Sequence, residues 1–221
     1  MKNHYFITNA KKNKSQTSPN CSMPQSEDAR SSFTYLDGDT EFVFRTSANV
    51  FSRSYIDFGT QRLLKYVRVP TITDSPRVLD LGCGYGIVGI VLLSRYAHIR
   101  MWFSDITEQA IFATKQNVAT HAQLFQERMP IIIQSDGFAN PELASTVFEL
   151  ILCNPPFSAG KEICKRLIRE SHEHLVEGGS LQFVAPRKKG GESLAKFASE
   201  LFSSVNVLGK SGGFWVYDCV K

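Results

Sequence analysis

The sequence has no Cys-x-x-Cys pair and no histidine-rich cluster, and its five cysteines (Cys21, Cys83, Cys153, Cys164 and Cys219) are odd in number. That excludes a zinc-ligand spacing and a disulfide framework, so a reducing compartment and no metal are expected. It also lacks any apolar run long enough to span a bilayer, and Met1 to Ala10 carries one lysine and no apolar leader core. A cytoplasmic location with no membrane partner is therefore the expectation. Charge of one sign is not concentrated: 25 Lys and Arg against 21 Asp and Glu give +4, which permits a polyanionic partner without requiring one. The five histidines (His4, His98, His121, His172 and His174) form no constellation with a serine or cysteine. Internal repeats are absent, and 221 residues suit one α/β domain better than two.

What is present is a change of rhythm along the chain. Residues 11–30 are polar and without period, which reads as a flexible loop. Phe33 to Leu36 and Glu41 to Thr46 alternate around Asp37-Gly38-Asp39, a hairpin signal. Residues 1–58 are thus expected to form a small N-terminal β extension, with the loop at about 11–30, and 59–221 the main domain. Asp57 to Arg68 has helical spacing. Short apolar strands then alternate with helices: Arg77 to Leu81, Ile87 to Tyr96, Arg100 to Asp105, Glu108 to Ala122 and Pro130 to Gln134. Phe148 to Cys153, Lys161 to Leu175 (His172 and Glu173 exposed), Gly179 to Val184 and Glu192 to Phe202 continue the pattern. Val205 to Leu208 and Gly213 to Val220, joined through Lys210-Ser211-Gly212, close it as an antiparallel hairpin. The fold class is α/β: a doubly wound, Rossmann-like seven-stranded sheet, mostly parallel with one antiparallel strand.

Asp80-Leu81-Gly82-Cys83-Gly84-Tyr85-Gly86 sits where the first parallel strand turns into its helix, the place where doubly wound sheets bind ligands. The spacing departs from the dinucleotide fingerprint, because Gly86 comes one place early and Gly89 follows later. Asp105 ends the second strand, where it can accept both hydroxyls of a ribose. Asp136, before Gly137, ends the third, where it can accept from an adenine amino group. Three acids suit a nucleoside without phosphates, and a sulfonium would be tolerated beside Asp80. Single aspartates are common in turns, but three ending successive strands beside a glycine turn are not a chance pattern.

Val78 to Gly86, Ser104-Asp105-Ile106, Ser135-Asp136 and Asn154-Pro155-Pro156-Phe157 together resemble the class I methyltransferase "small domain" family. Its best-known members are guanine-N2 methyltransferases of small-subunit ribosomal RNA. Phe42-x-Phe44-x-Thr46, Val50-Phe51-Ser52, Asp57-x-Gly59-Thr60, Leu63-Leu64, Ala159-Gly160-Lys161 and Gly213-Phe214-Trp215-Val216 extend the likeness from about residue 33 to the end. Asn49 departs from the family's glycine before Val-Phe-Ser, and asparagine tolerates left-handed backbone. The resemblance implies S-adenosyl-L-methionine as cofactor, held by Asp80, Gly82, Cys83, Gly84, Gly86, Asp105, Ile106, Asp136, Gly137 and Asn154. It implies ribosomal RNA or a ribosomal subunit, 16S rRNA favoured, as substrate, and leaves the oligomeric state open.

Asn154, Pro155, Pro156 and Phe157 are the expected catalytic residues. An exocyclic amine has a delocalised lone pair and is a poor nucleophile. Asn154 Oδ1 and the Pro155 carbonyl can accept its two hydrogens and turn the lone pair toward the methyl group, while the prolines supply rigidity and no competing N–H. Phe157 would stack on the base. The same loop serves adenine, cytosine and glutamine-amide methylation in related families. The alternatives are therefore a protein glutamine methyltransferase, whose loop usually ends in tyrosine, and a non-catalytic cofactor-binding module of ribosome assembly. Arg187-Lys188-Lys189-Gly190-Gly191 reads equally as a phosphate grip or a solvated helix approach. Thr60 reads as a helix cap, with a possible second contact to the cofactor. Cys83 and Cys153 read as small packing residues rather than nucleophiles.

Overall fold

The computed structural model describes residues 31–46, 56–125 and 128–221. Tyr5-Phe6-Ile7, the polar segment 11–30, His4, Cys21, Asn49 and Val50-Phe51-Ser52 lie outside the described residues.

The hairpin signal is realised as β1 (Ser31–Asp37) and β2 (Thr40–Thr46), paired from Asp37 opposite Thr40 to Ser31 opposite Thr46. Phe42 and Phe44 alternate with exposed residues and are fully buried, the period of two that a one-sided strand requires. Their rings meet Tyr85, from the glycine turn, and His121. The His121 ring accepts the Val43 N–H at Nε2 (3.3 Å), so its proton sits on Nδ1, which donates to the Asn117 carbonyl (2.8 Å). The Asn117 amide accepts the Arg45 N–H (2.9 Å) and donates to the carbonyls of Arg45 (3.0 Å) and Tyr85 (2.8 Å). The hairpin is thereby tied to the same turn that the glycines form.

The remaining strands are β3 (Arg77–Leu81), β4 (Arg100–Asp105), β5 (Ile131–Gln134), β6 (Phe148–Cys153), β7 (Leu175–Pro186), β8 (Ser204–Ser211) and β9 (Phe214–Val220). Among the described residues they form one seven-stranded sheet in the order β5-β4-β3-β6-β7-β9-β8. β9 alone runs against its neighbours, so the doubly wound, mostly parallel expectation with one antiparallel strand holds. Every residue of β6 is buried, as in a strand covered on both faces; its one charge, Glu149, pairs with Arg77 (2.8 Å). Leu150 and Leu152 point to the core beneath α1 (Phe58–Tyr66), α2 (Ile87–Arg95) and α3 (Glu108–Thr120). Ile151 and Cys153 point to the core beneath α4 (Pro141–Ala144), α5 (Lys161–Glu173) and α6 (Gly191–Ala198).

Several boundaries differ from the sequence reading for local reasons. The β8–β9 turn is Gly212-Gly213, both at positive φ (58° and 79°), because Ser211 still pairs with Phe214. β7 begins at Leu175 rather than Gly179, opposite Phe148 and across an irregularity in register. The helix expected to reach Phe202 stops at Ala198. His172 is half-buried with its ring edge-on to Phe202 (4.9 Å), not exposed. Asn140 caps a four-residue α4, too short to show a helical period in the sequence. No helix among the described residues is long and apolar enough to cross a membrane.

Candidate active site

The chain runs β3 to β4 to β5 in one direction, then returns to place β6 on the other side of β3. A crevice opens at such a reversal, at the carboxyl ends of the strands. The register brings Leu81 beside Ser104 on one side and Cys153 on the other, so the glycine turn and the Asn154 loop flank that crevice.

The turn after β3 is held from below. The Gly82 and Cys83 N–H groups both donate to the Ser104 carbonyl (2.8 and 2.9 Å), and Gly86 N–H donates to the Cys83 carbonyl (2.9 Å). Gly82 and Gly84 adopt positive φ (75° and 59°), and a Cβ on either would meet nothing within 4 Å. Their backbone forms an open ledge, and a side chain there would be strained by φ. Gly86 and Gly137 are buried instead: a Cβ on Gly86 would press on Thr114, and one on Gly137 would overlap Glu170 of α5. Both therefore pack, Gly86 within the turn after β3 and Gly137 in the turn after β5.

Asp105 is oriented by three donors. Gly84 N–H reaches Oδ2 (3.0 Å), while Thr107 N–H (2.9 Å) and hydroxyl (3.0 Å) reach Oδ1. The carboxylate keeps acceptor capacity toward the crevice, as a vicinal diol requires. The Ile106 side chain beside it is 58% exposed, and its carbonyl accepts from Gln134 Nε2 (3.0 Å). Asp80 lies buried behind the ledge and accepts the Gly89 N–H (3.1 Å). Burial pushes its carboxyl up to about 7; the Gly89 N–H works against the rise and Asp105 adds to it. Asp136 is exposed and ion-paired with Arg166 of α5, which itself lies 3.7 Å from Glu170. Its carboxylate is shared between that guanidinium and any ligand.

The Asn154 side chain is held through its nitrogen. Its Nδ2 donates to Asp57 Oδ1 (3.2 Å) and Thr60 Oγ1 (3.1 Å). A carboxylate only accepts, so the amide's two ends are assigned: nitrogen toward Asp57 and Thr60, Oδ1 with its acceptor capacity free. The same Asp57 oxygen accepts the Thr60 N–H (3.0 Å) and caps α1. Thr60 is therefore not the cap; it sits inside the first turn, buried, with its hydroxyl on Asn154. Gly59 makes this approach possible, since a Cβ there would come within 3.2 Å of both Asn154 side-chain ends.

The loop itself differs in one respect from expectation. The Phe157 N–H donates to the Pro155 carbonyl (2.9 Å), closing a γ-type turn around Pro156 (φ −76°, ψ 81°). One lone pair of that carbonyl is used, and one remains for a second donor. Phe157 is half-buried and packs beside Gly190, at the foot of the Arg187–Lys189 turn. Cys83 and Cys153 are buried free thiols, both pushed up by burial, which removes thiolate character and leaves them as packing residues.

Asp57, Thr60, Gly89, Thr107 and Thr114 (whose hydroxyl donates to the Gly84 carbonyl, 3.0 Å) are site-supporting residues that the sequence reading missed or misassigned. The Asp57-x-x-Thr60 spacing does signal a cap, but nothing local reveals a partner 97 positions away.

The methyltransferase small domain model matches residues 41–218. A Bacillus subtilis protein, YbxB, described as uncharacterized, is 33% identical over 82% of this chain and 87% of its own length. The ribosomal RNA small subunit methyltransferase C of Enterobacter sp. is 32% identical over 84% of this chain, and the large subunit methyltransferase G of Pseudoalteromonas translucida is 28% identical over 82%. The chain spans 50% and 47% of those two proteins. Among solved structures, the Thermus thermophilus 16S rRNA N2 G1207 methyltransferase (RsmC), in complex with AdoMet and guanosine, superposes with a TM-score of 0.72 at 21% identity. That superposition covers 90% of this chain and 52% of the other.

Proposed function

Because the chain belongs to the methyltransferase small domain family, we propose that it transfers a methyl group from S-adenosyl-L-methionine to the exocyclic N2 of a guanine in ribosomal RNA, with the small subunit as its source. The observation that carries this reading is the hold of Asp57 and Thr60 on the Asn154 Nδ2, which leaves the acceptor capacity of Oδ1 free for an amino hydrogen. The names of the rRNA methyltransferase relatives support the substrate class.

The residues fit the cofactor. The open backbone ledge at Gly82 and Gly84 admits close approach, Asp105 has acceptor capacity for two hydroxyls, and Ile106 offers an apolar face to an adenine. Asp136 would take the adenine amino group, sharing its charge with Arg166. Asp80 and Asp105 favour a cationic ligand and disfavour phosphates. When bound, the cofactor supplies a methyl group on a cationic sulfur, which keeps the bonding pair as that bond breaks and becomes a neutral thioether.

Asn154 Oδ1 and the free lone pair of the Pro155 carbonyl hold the two amino hydrogens, which directs the nitrogen lone pair along the line of attack. Phe157 stacks on the base and keeps it in the crevice. The nitrogen, once methylated, loses a proton to water, and no strong base is needed. Catalysis by these residues is positioning and preorganised hydrogen bonding.

The test is transfer of labelled methyl to ribosomal subunits from cells lacking the protein, followed by nuclease and protease digestion. Label released by nuclease from the small subunit as N2-methylguanosine is the expected result. The same nucleoside from the large subunit would move the target between subunits. Label that follows protein, or none, would overturn the reading.

A further inference from the structure

The carboxyl edge of the sheet carries more than the crevice. Because β9 runs antiparallel, the β8–β9 turn returns to the same edge as the Asn154 loop, and the Arg187 N–H donates to the Gly213 carbonyl there (2.9 Å). Around that turn three elements set cations side by side. Arg62 of α1 reaches the turn at Gly212 and lies over the ring of Phe58, 5.8 Å from its centroid. Arg187 and Lys210 lie over the Trp215 ring at 4.8 and 4.3 Å. Lys188 and Lys189 are exposed on the turn that ends at Gly190, against Phe157.

The charges are poorly compensated. Arg187 pairs with Glu192 (2.6 Å), but Arg62, Lys188, Lys189 and Lys210 have no acidic partner among the ion pairs of the described residues. The Arg62 Nε is buried and has no hydrogen-bond partner among them. Phe58, next to the Asp57 that orients Asn154, leaves 60% of its surface in water. A solvated charge run on one helix would look different. Here the cations come from α1, the hairpin and the 187–189 turn, and Trp215 fixes two of them in place.

We propose that this arc is the track for a single-stranded polynucleotide flanking the target base, with phosphates on Arg62, Lys188, Lys189 and Lys210 and a base on Phe58. The proposal rests on the reading of the site as acting on RNA. Single-stranded substrate follows from the chemistry: an exocyclic amine must leave its pairing partner to reach Asn154. Spaced cations with an exposed aromatic ring bind such a strand without reading its sequence.

The experiment measures binding of a labelled oligouridylate to the full chain loaded with S-adenosylhomocysteine. Uracil has no exocyclic amine, so it tests the track without using the Asn154 subsite. Four phosphate contacts give a salt slope of roughly −3, at about −0.7 per contact. Lys188→Ala with Lys189→Ala should lower that slope by about 1.4, and Arg62→Ala with Lys210→Ala should do the same. Phe58→Ala should weaken binding roughly tenfold and leave the slope unchanged. Wild-type protein that ignores the oligonucleotide, variants that bind like wild type, or preference for polyglutamate would each overturn the proposal. Binding that follows these expectations in a protein that transfers no methyl group would leave the track standing and sink the proposed function instead.

Discussion

Replacing Asn154 by aspartate exchanges an amino group for an oxygen and alters little else in size. In the native chain the nitrogen donates to Asp57 Oδ1 at 3.2 Å. In Asn154→Asp a second carboxylate oxygen would face Asp57 across the same gap. Two unit charges 3.2 Å apart repel by roughly 5 kcal/mol at an effective dielectric near 20. At about 1.4 kcal/mol per tenfold, that raises the proton affinity of the pair by roughly 10³ to 10⁴. A proton shared between the two carboxyls relieves the repulsion into the neutral range, as in other like-charged carboxylate pairs. While it stays, the outward oxygen still accepts from the target amine. Once the proton leaves, repulsion turns the new carboxylate away from Asp57 and out of its place at the target, so the variant should transfer methyl in mild acid and lose activity as pH rises through neutrality. Single-turnover transfer from about pH 5.5 to about 9 reads this directly. The exchange Asp57→Asn with Asn154→Asp restores one amide facing one carboxylate and should flatten the profile again. An Asn154→Asp profile parallel to that of the wild type, at an undiminished rate, would refute the assigned orientation of the amide.

Two further predictions concern Asp80 of β3 and Gly89 of α2. Asp80 has its carboxyl raised by burial from 3.8 to about 7, so it stabilises the free protein below about 3.8, and that contribution is lost as pH rises through about 7. A cationic cofactor favours the ionised form, so affinity should strengthen by up to about tenfold per pH unit below 7 and level off above it. Calorimetric titration of wild type and Asp80→Asn checks this, and a wild-type affinity independent of pH would contradict it. In Gly89→Ala the new methyl would lie 2.5 Å from Phe103 Cζ and 2.6 Å from Met101 Cε, which forces α2 off the sheet. Overpacking of that kind costs about 2 kcal/mol, read as a lower denaturation midpoint. An unchanged midpoint would show that α2 has slack the packing does not suggest.

The division between what was legible and what was not follows interaction range. β6 declared itself through six buried residues in a row, and β2 through strict alternation, because both patterns are local consequences of which faces are covered. The Gly82 and Gly84 ledge and Asp105 were equally legible, since a strand end followed by glycines constrains its own backbone. The role of Thr60 is not legible locally, because its hydroxyl serves Asn154, 94 positions away, and not its own helix. The exposed Phe58 and the cations over Trp215 carried no signal as a group, being spread over three segments. Gly86 and Gly137 looked like ligand-facing glycines, yet both are buried under side chains of other elements.

The parallel α/β architecture, the acidic glycine turn and the presence of the Asn154 loop are local features of the chain, because periodicity, turn chemistry and strand-end residues act between neighbours. Only long-range packing settles which end of the Asn154 amide Asp57 and Thr60 hold, which carboxylate is shielded and which cations gather around the β8–β9 turn. Those outcomes depend on contacts between residues distant in sequence, where hydrogen-bond donors, burial and charge are supplied by other strands and helices.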